Sequence, residues 1–315
     1  ELEPGIFDVV LATASPYASF ALARYASTKL RCPFVLDYRD LWGTSPHPLP
    51  KESLRGIEEE SALCAAAHGI LGVSPSLIQS LRDHFGAPDG SDHDKFKVLT
   101  NGFDPDDMSP LRNLSRAQKR VLYAGVFYPP KRTITPVMEA LRWIKTHHIG
   151  RASEICFAFY GIGAAHVREE ATRCGVEDMV EINGRVPRAD ALKAIAQAAL
   201  SVVITSVDTQ GSQADRGVVT SKIFDAMGLG TPILLIAPEH SDAEDIIETS
   251  SAGQTFRGAD IKGIAEAILH YTQAAENSTA DVMNGPYAWP QLAMTLENYL
   301  AGAQRRYVIQ SDMEL

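Results

Sequence analysis

The sequence predicts an α/β protein made of two doubly wound parallel sheets. Short apolar runs alternate with longer helical stretches along the chain, which is the pattern of parallel strands whose connecting helices cover both faces of a sheet. The alternation occurs twice, on either side of a segment rich in Asp, Pro, Asn and Ser at residues 104–116. The chain of 315 residues is also long enough for two domains of ordinary size.

The first round of alternation predicts four strands and three helices. Its opening strand, FDVVLAT, is continuously apolar, as expected for a strand buried on both faces of a parallel sheet. Its last helix has Pro75 in the first turn and Gly86 at the end, where these residues are favoured. The predicted strands cover residues 7–13, 33–38, 68–74 and 95–102, and the predicted helices cover residues 19–30, 53–67 and 75–86.

The second round repeats the pattern, and a further helix closes the sequence. The predicted strands cover residues 120–127, 154–161, 179–186, 200–206 and 231–238. The predicted helices cover residues 135–147, 164–175, 188–198, 220–230, 260–275 and 289–306. We therefore expect a first domain at 1–115, a second at 116–286, and a C-terminal helical segment at 287–315 that crosses back to the first domain.

The composition excludes several classes of protein. A formal net charge of -10 gives no general attraction for nucleic acid, so no nucleic-acid partner is expected. The four cysteines form no Cys-x-x-Cys pair and no secretory signal is visible, which indicates reduced thiols in a cytoplasmic protein. The nine histidines show no metal-ligand spacing, so we expect no metal site.

The segment TSKIFDAMGLG is the first candidate for chemistry, because ligands of doubly wound sheets bind where strands end and helices begin. Thr220 or Ser221 would cap its helix, and Lys222 lies in the first turn. A cation there opposes the helix dipole unless an anion binds beside it. Asp225 follows on nearly the same face, so the pair suits a nucleotide diphosphate and its ribose. The alternative is an ordinary surface Lys–Asp pair.

Two further loops follow predicted strands. Gly125 ends one strand, and Lys131 and Arg132 follow two prolines on the next loop. Adjacent cations on a stiff loop suit a diphosphate, although a solvated basic pair is the alternative. Gly161 and Gly163 also follow a strand and open a helix, as in a dinucleotide-binding fingerprint.

The fingerprint gives a rival interpretation, an NAD-dependent dehydrogenase. Glu181, which we expect to end the next strand, lies at about the right distance for a ribose contact. The third fingerprint position is His166, however, where Gly or Ala is needed for close packing of helix and strand. The dehydrogenase signal is therefore weak.

Four segments, in this order, carry a resemblance to a known family. LDYRDLW has the Asp-x-Arg-Asp-x-Trp pattern, and AHGILGVSPSLIQSL has an apolar run that ends in valine and serine. VLTNGFDPDDM has an Asn-Gly turn before the predicted linker, and TSKIFDAMGLGTPIL has a Lys-x-Phe-Asp block that ends in Gly-x-Pro. Together they resemble bacterial glycosyltransferases of family 4, which have the GT-B fold, over nearly the whole chain.

The resemblance implies two Rossmann-like domains and a metal-independent transfer from a UDP- or GDP-type sugar, with retention of anomeric configuration and no cofactor. It implies that Arg132 and Lys222 act as catalytic cations on the departing diphosphate, that Asp225 orients the ribose, and that Val186 lies beside the base. The candidate donor-binding residues are Gly125, Lys131, Gly161, Gly163, Val186, Thr220, Ser221 and Asp225.

Two positions of the donor side depart from the family pattern. Val126 stands where the family has an arginine, and Lys131 is expected to compensate for the lost cation. Gly217 stands where the family has a glutamate that contacts the donor sugar. We therefore expect the preceding loop, residues 208–216, to take part in recognition of the sugar.

The acceptor side is less defined. Thr13 or Arg39 takes the place of a histidine found in some family members, so these two residues and Asp40 are the acceptor-side candidates, and no catalytic histidine is assigned. Relative to the family, the first part of the N-terminal domain is expected to be missing. The acceptor stays open between a glycan, a lipid-linked molecule and a small molecule, with peripheral association at the inner face of the membrane expected through the missing part.

Two other functions stay open at this point. A non-catalytic nucleotide-sugar-binding module is favoured by the glycine at position 217. A sugar-nucleotide epimerase shares the fold and is the third interpretation.

Overall fold

The computed structural model describes residues 3–43, 54–115, 117–273 and 282–313. The predicted helices 53–67 and 260–275 and the predicted linker 104–116 each extend partly outside these ranges. The chain divides into two compact units. The first unit contains Glu1–Asn101, Ser212–Val218 and Pro290–Leu315, and the second contains Gly102–Gly211 and Val219–Trp289.

Ten strands and thirteen helices are assigned within the described residues. The strands are β1 (Val10–Ala14), β2 (Phe34–Tyr38), β3 (Gly69–Gly72), β4 (Phe96–Val98), β5 (Ala117–Val126), β6 (Cys156–Ile162), β7 (Val180–Gly184), β8 (Ala198–Ile204), β9 (Ile233–Ile236) and β10 (Gly253–Phe256). The helices are α1 (Ala18–Leu30), α2 (Leu54–Ala66), α3 (Pro75–Phe85), α4 (Pro105–Met108), α5 (Thr135–His147), α6 (Ile149–Ala152), α7 (Ala164–Cys174), α8 (Arg188–Gln197), α9 (Gln213–Arg216), α10 (Ser221–Gly228), α11 (Asp242–Ser250), α12 (Ile261–Tyr271) and α13 (Trp289–Met313).

The first unit is built on a parallel sheet of order β1-β2-β3-β4. Helices α1, α2 and α3 pack on one face of this sheet around a core that includes Phe20 and Tyr38. Helix α13 packs on the other face through Ala303, which contacts Val35, Leu71 and Leu99 in one buried cluster. The sheet is therefore covered on both faces.

The fit of α13 depends on one tyrosine. The hydroxyl of Tyr299 accepts the Ile70 N–H at 2.8 Å, beside Gly69 in strand β3. A Cβ at residue 69 would lie 2.6 Å from that hydroxyl oxygen, which is closer than side chains pack. The glycine therefore makes room for the tyrosine, and the tyrosine satisfies a buried backbone group.

The second unit is built on a six-stranded parallel sheet of order β10-β9-β8-β5-β6-β7. Helices α5, α7 and α12 bury their apolar sides on one face. Helices α8, α10 and α11 do so on the other face. The chain winds outward from β5 in one direction and from β8 in the other, so the two central strands flank the topological switch point of the sheet.

The predicted α/β class and its two doubly wound halves are confirmed by these two sheets. Four-residue helices α4, α6 and α9 were not predicted, because such short segments carry no hydrophobic period. Helix α11 and strand β10 were also missed. Strand β10 reads GQTF, with one large apolar residue at the edge of the sheet, so it lacks the apolar run that identifies a central strand.

The expectation that Glu181 ends a strand is wrong. Glu181 is the second residue of β7, and its carboxylate lies 2.5 Å from the guanidinium of Arg120, in the first half of β5, which is two strands away in the sheet. A dinucleotide would bind at the opposite, carboxyl edge of the sheet. The main support for the dehydrogenase interpretation is thereby removed.

Among the described residues, no helix has both the length and the apolar composition that a membrane span requires.

Candidate functional site

The candidate site lies in the second unit, where β5 and β8 end side by side. The loop after β8 is fixed to the loop after β5 by a backbone hydrogen bond, in which the Val207 N–H donates to the Lys131 carbonyl at 2.8 Å. This junction is the switch point of the sheet, the place where open parallel sheets bind ligands. The predicted cations at 131 and 132 therefore lie at the expected edge.

The loop after β5 holds Arg132 in a defined place. Tyr128 and Arg132 exchange two backbone hydrogen bonds of 2.9 and 3.0 Å around the two prolines. The guanidinium carbon of Arg132 lies 5.4 Å from the centre of the Tyr128 ring, a distance at which a cation is attracted to an aromatic face. Its Nε is buried and has no hydrogen-bond partner among the described residues. A buried donor of this kind is costly unless a ligand accepts from it.

Lys222 lies at the same crevice, in the first turn of α10. The helix begins after Thr220, whose side chain makes no capping hydrogen bond, and no acidic residue occupies the first turn. The aliphatic end of Lys222 lies directly over Gly125, where a Cβ would overlap the Lys222 Cε. The absence of a side chain at position 125 therefore gives Lys222 its place.

The Lys222 ammonium is in an unfavourable electrostatic environment. Burial, and then the nearby charge of Arg132, lower the pKa of Lys222 from 10.5 to about 8, although Asp225 opposes the change. Within the part of the chain that the structure describes, neither Lys222 nor Arg132 forms an ion pair with a carboxylate. Two cations that repel each other at one edge of the sheet, with no carboxylate in contact with either among the described residues, indicate a site for an anion.

Two glycines let β5 and β6 approach at this edge. Gly125 and Gly161 are partners in the parallel register, with φ values of 152° and 149°. A Cβ at residue 161 would overlap the carbonyl oxygen of Gly125, so only glycine fits. Gly163 follows as the residue before α7. The structure thus brings all three predicted glycines to the carboxyl edge of the two strands.

His166, the poor third position of the dinucleotide fingerprint, has a packing role. Its Nε2 lies 2.9 Å from the Thr133 hydroxyl, and its ring contacts Phe127 edge-on at 5.4 Å between centres. His166 therefore links α7 to the loop after β5. A dinucleotide-binding fingerprint requires a small residue at this position.

Asp225 has a partner that the sequence did not reveal. Its Oδ1 lies 3.3 Å from Nη2 of Arg188, the first residue of α8. The Asp225 side chain is 20% exposed and that of Arg188 is 54% exposed. Burial raises the pKa of the Asp225 carboxyl, and the charges of Arg188 and Lys222 lower it. Val186, the residue expected beside the base, is two positions before Arg188 and is half-buried.

The acceptor-side candidates lie at the carboxyl edge of the first unit's sheet. Arg39 binds the buried Asp37 with two nitrogens, at 2.8 and 2.5 Å, and donates to the Leu99 carbonyl at 3.2 Å. The Thr13 hydroxyl donates to the same carboxylate at 3.1 Å. These bonds tie together the ends of β1, β2 and β4. Asp40 is exposed, and its carbonyl accepts from a neighbouring tyrosine.

Gly217, the position of the missing glutamate, belongs to the first unit with the rest of the segment Ser212–Val218. Its carbonyl accepts the Ser74 hydroxyl at 2.7 Å. A Cβ at residue 217 would lie 3.1 Å from the Leu77 nitrogen at the start of α3. The backbone at this position is therefore packed against a helix terminus.

Comparison with known proteins agrees with this description. Residues 118–273 match the family model of glycosyl transferases group 1. Comparison with curated protein sequences finds no match. Sucrose-phosphate synthase from Thermosynechococcus elongatus is similar in structure, with a TM-score of 0.67 and 16% identity, over 97% of this chain and 74% of that chain.

Two further structures have the same architecture. S. aureus TarM, in a complex with Fondaparinux, alpha-GlcNAc-glycerol and UDP, gives a TM-score of 0.64 at 11% identity, over 93% of this chain and 55% of that one. The UDP-forming trehalose-phosphate synthase from Burkholderia xenovorans gives 0.59 at 12% identity, over 96% and 73%.

The two parallel sheets and these likenesses define the fold as that of GT-B glycosyltransferases. Within it, residues 118–273 are the part of the chain that matches the family model of glycosyl transferases group 1.

Proposed function

We propose that this chain is a glycosyltransferase that takes a sugar from a nucleotide-diphosphate donor bound in the second unit. The observation that carries the proposal is the convergence of Arg132 and Lys222, without a carboxylate partner in the described residues, at the switch point of a group 1 domain. Burying like charges side by side is unfavourable in the free protein. A bound diphosphate would remove that cost.

The other candidate donor-binding residues are consistent with a single orientation of the bound nucleotide. The diphosphate would lie on Lys222, Arg132 and the open N-terminus of α10. Its ribose would reach Asp225, one helical turn further along α10. The base would then lie at the loop that contains Val186, since that loop leads into Arg188 beside Asp225. Charge that develops on the departing diphosphate would be stabilised by the two cations.

Two of the similar structures support the choice of nucleotide. UDP is bound in the TarM complex, and the Burkholderia enzyme is described as UDP-forming. We therefore infer a UDP-type donor for this chain, with a GDP-type donor as the second choice.

Nucleotide diphosphates are expected to stabilise the protein against heat, and NAD is not. A ligand at about 100 times its dissociation constant adds roughly 2.7 kcal/mol to the free energy of unfolding. The measurement is a thermal-shift series with UDP, GDP, ADP and NAD, and inorganic sulfate controls for a general effect of anions. A shift with NAD alone contradicts the proposal.

The finer parts of the proposal are retention of configuration, independence from metal and the absence of a cofactor. They predict a product with the anomeric configuration of the donor, formed at the same rate with EDTA as without it. NMR of the product measures the anomeric configuration, and initial rates with and without the chelator measure the dependence on metal. Loss of activity in EDTA with recovery on addition of Mn²⁺ would mean that a metal takes part.

A binding module without catalysis is the second candidate function. The glycine at 217, packed by its backbone against α3, favours it because no side chain there can contact a sugar. This function predicts UDP binding with no consumption of any UDP-sugar, whereas a transferase consumes its donor.

A further inference from the structure

We infer that Arg188 and Asp225 form one recognition unit for the ribose of the donor, in which Arg188 sets the orientation of the carboxylate and contributes to the choice of ribose over deoxyribose. The inference rests on the proposed function, since it assigns a further residue to the same site. Arg188, at the start of α8, contacts Asp225 on α10 through both terminal nitrogens of its guanidinium.

The pair is asymmetric, and the asymmetry points to a ligand. Both guanidinium contacts, at 3.5 and 3.3 Å, go to Oδ1 of Asp225. A carboxylate has acceptor capacity on both oxygens. Oδ2 is thus the oxygen that can accept from a ribose hydroxyl. The carboxylate is mostly buried, while more than half of the Arg188 side chain is exposed and can donate to a neighbouring hydroxyl.

Stability gives little reason for this arrangement. Arg188 is the first residue of α8, and a cation at that end opposes the helix dipole. An ion pair in which one partner is more than half exposed contributes little to folding. Burial raises the pKa of the Asp225 carboxyl, and the charges of Arg188 and Lys222 oppose that rise. Arg188, in direct contact with the carboxylate, therefore favours the ionised form, which accepts hydrogen bonds from a diol.

The experiment compares Arg188→Met with the wild type in binding of UDP, GDP and their 2′-deoxy and 3′-deoxy forms, by calorimetry. Losing one charge-assisted contact predicts binding of the ribonucleotide weakened by about 10-fold. Binding of at least one deoxy form should change little, so the ratio of ribo to deoxy affinities falls towards one. The value of kcat at saturating donor should change less than KM, because ribose contacts are similar in the ground and transition states.

The matched control is Arg173→Met, which removes another half-exposed arginine that pairs with Glu170 and Glu139 away from the site. It should leave nucleotide binding unchanged. A double variant, Arg188→Met with Asp225→Asn, should bind no more weakly than Asp225→Asn alone, because the two residues act together.

The possible outcomes separate this inference from the proposed function. If the wild type binds neither UDP nor GDP, the proposed function fails and the inference fails with it. If the wild type binds but Arg188→Met keeps both the affinity and the ribose preference, the inference alone is overturned and Arg188 is a surface ion pair.

Discussion

Lys222→Met is expected to lower kcat by about 100-fold or more, which is the scale of losing one preorganised donor to developing charge. The substitution keeps the aliphatic chain over Gly125 and removes only the ammonium. Because charge on the diphosphate grows as the sugar departs, the loss should fall on kcat as well as on kcat/KM. The measurement is the initial rate of donor consumption against donor concentration, by transfer to an acceptor or by slow hydrolysis.

The same variant should make the free protein more stable. The pKa of Lys222 is about 8 in the folded protein, against 10.5 for an unperturbed lysine, so the unfolded chain binds more protons between these values. The stability of the wild type should therefore rise as pH increases from about 8 to 10.5, and this rise should be absent in Lys222→Met. At neutral pH the variant should gain up to roughly 3 kcal/mol, less any loss of packing.

Lys262→Met is the matched control, because Lys262 is an exposed lysine that pairs with Glu266 on α12. It should change neither the rate nor the pH dependence of stability. Wild-type kinetics in Lys222→Met would return Lys222 to the surface Lys–Asp interpretation.

The parts of the site that the sequence predicted are those whose signal is local. Lys222 is identifiable from the sequence because a cation in the first turn of a helix is electrostatically unfavourable, and the few residues at the start of the helix are enough to recognise this. Gly125 is identifiable because it lies near the end of an apolar run, and Lys131 and Arg132 because they come shortly after that run, since the end of a parallel strand is a defined place in the fold. The doubly wound class itself follows from the alternation of strands and helices.

The parts that the sequence did not predict depend on contacts between distant segments. Arg188 meets Asp225 across 37 positions of sequence, and nothing within α8 marks it as different from other surface arginines. Glu181 was placed at the wrong end of its strand because the apolar run at 179–186 does not show where pairing with β6 begins. The contact of Gly217 with α3 likewise joins segments that are far apart in the sequence, so it could be identified only from the folded structure.

The charges of the site now form an ordered series. Arg132 and Lys222 lie together at the switch point, Asp225 follows one turn along α10, and Arg188 completes the series from α8. Under the proposed function, positive charge for the diphosphate precedes a carboxylate for the diol, which is the order of these groups in a nucleotide. The position of Lys222 in this series is sensitive to substitution at residue 125, because a side chain there would overlap the Lys222 side chain.

Gly125→Ala is therefore expected to weaken UDP binding by at least about 10-fold and to destabilise the protein by roughly 1–3 kcal/mol. The methyl group would overlap the Lys222 Cε and push the ammonium away from Arg132, and an alanine is strained at a φ of 152°. Gly150→Ala is the matched control, since a Cβ there meets no atom within 4 Å.

The decisive measurement repeats Gly125→Ala in a Lys222→Ala background. If the glycine acts by giving the lysine its place, the second substitution costs no further affinity, although the loss of stability remains. Additive losses of affinity would show that Gly125 contacts the nucleotide by its own backbone.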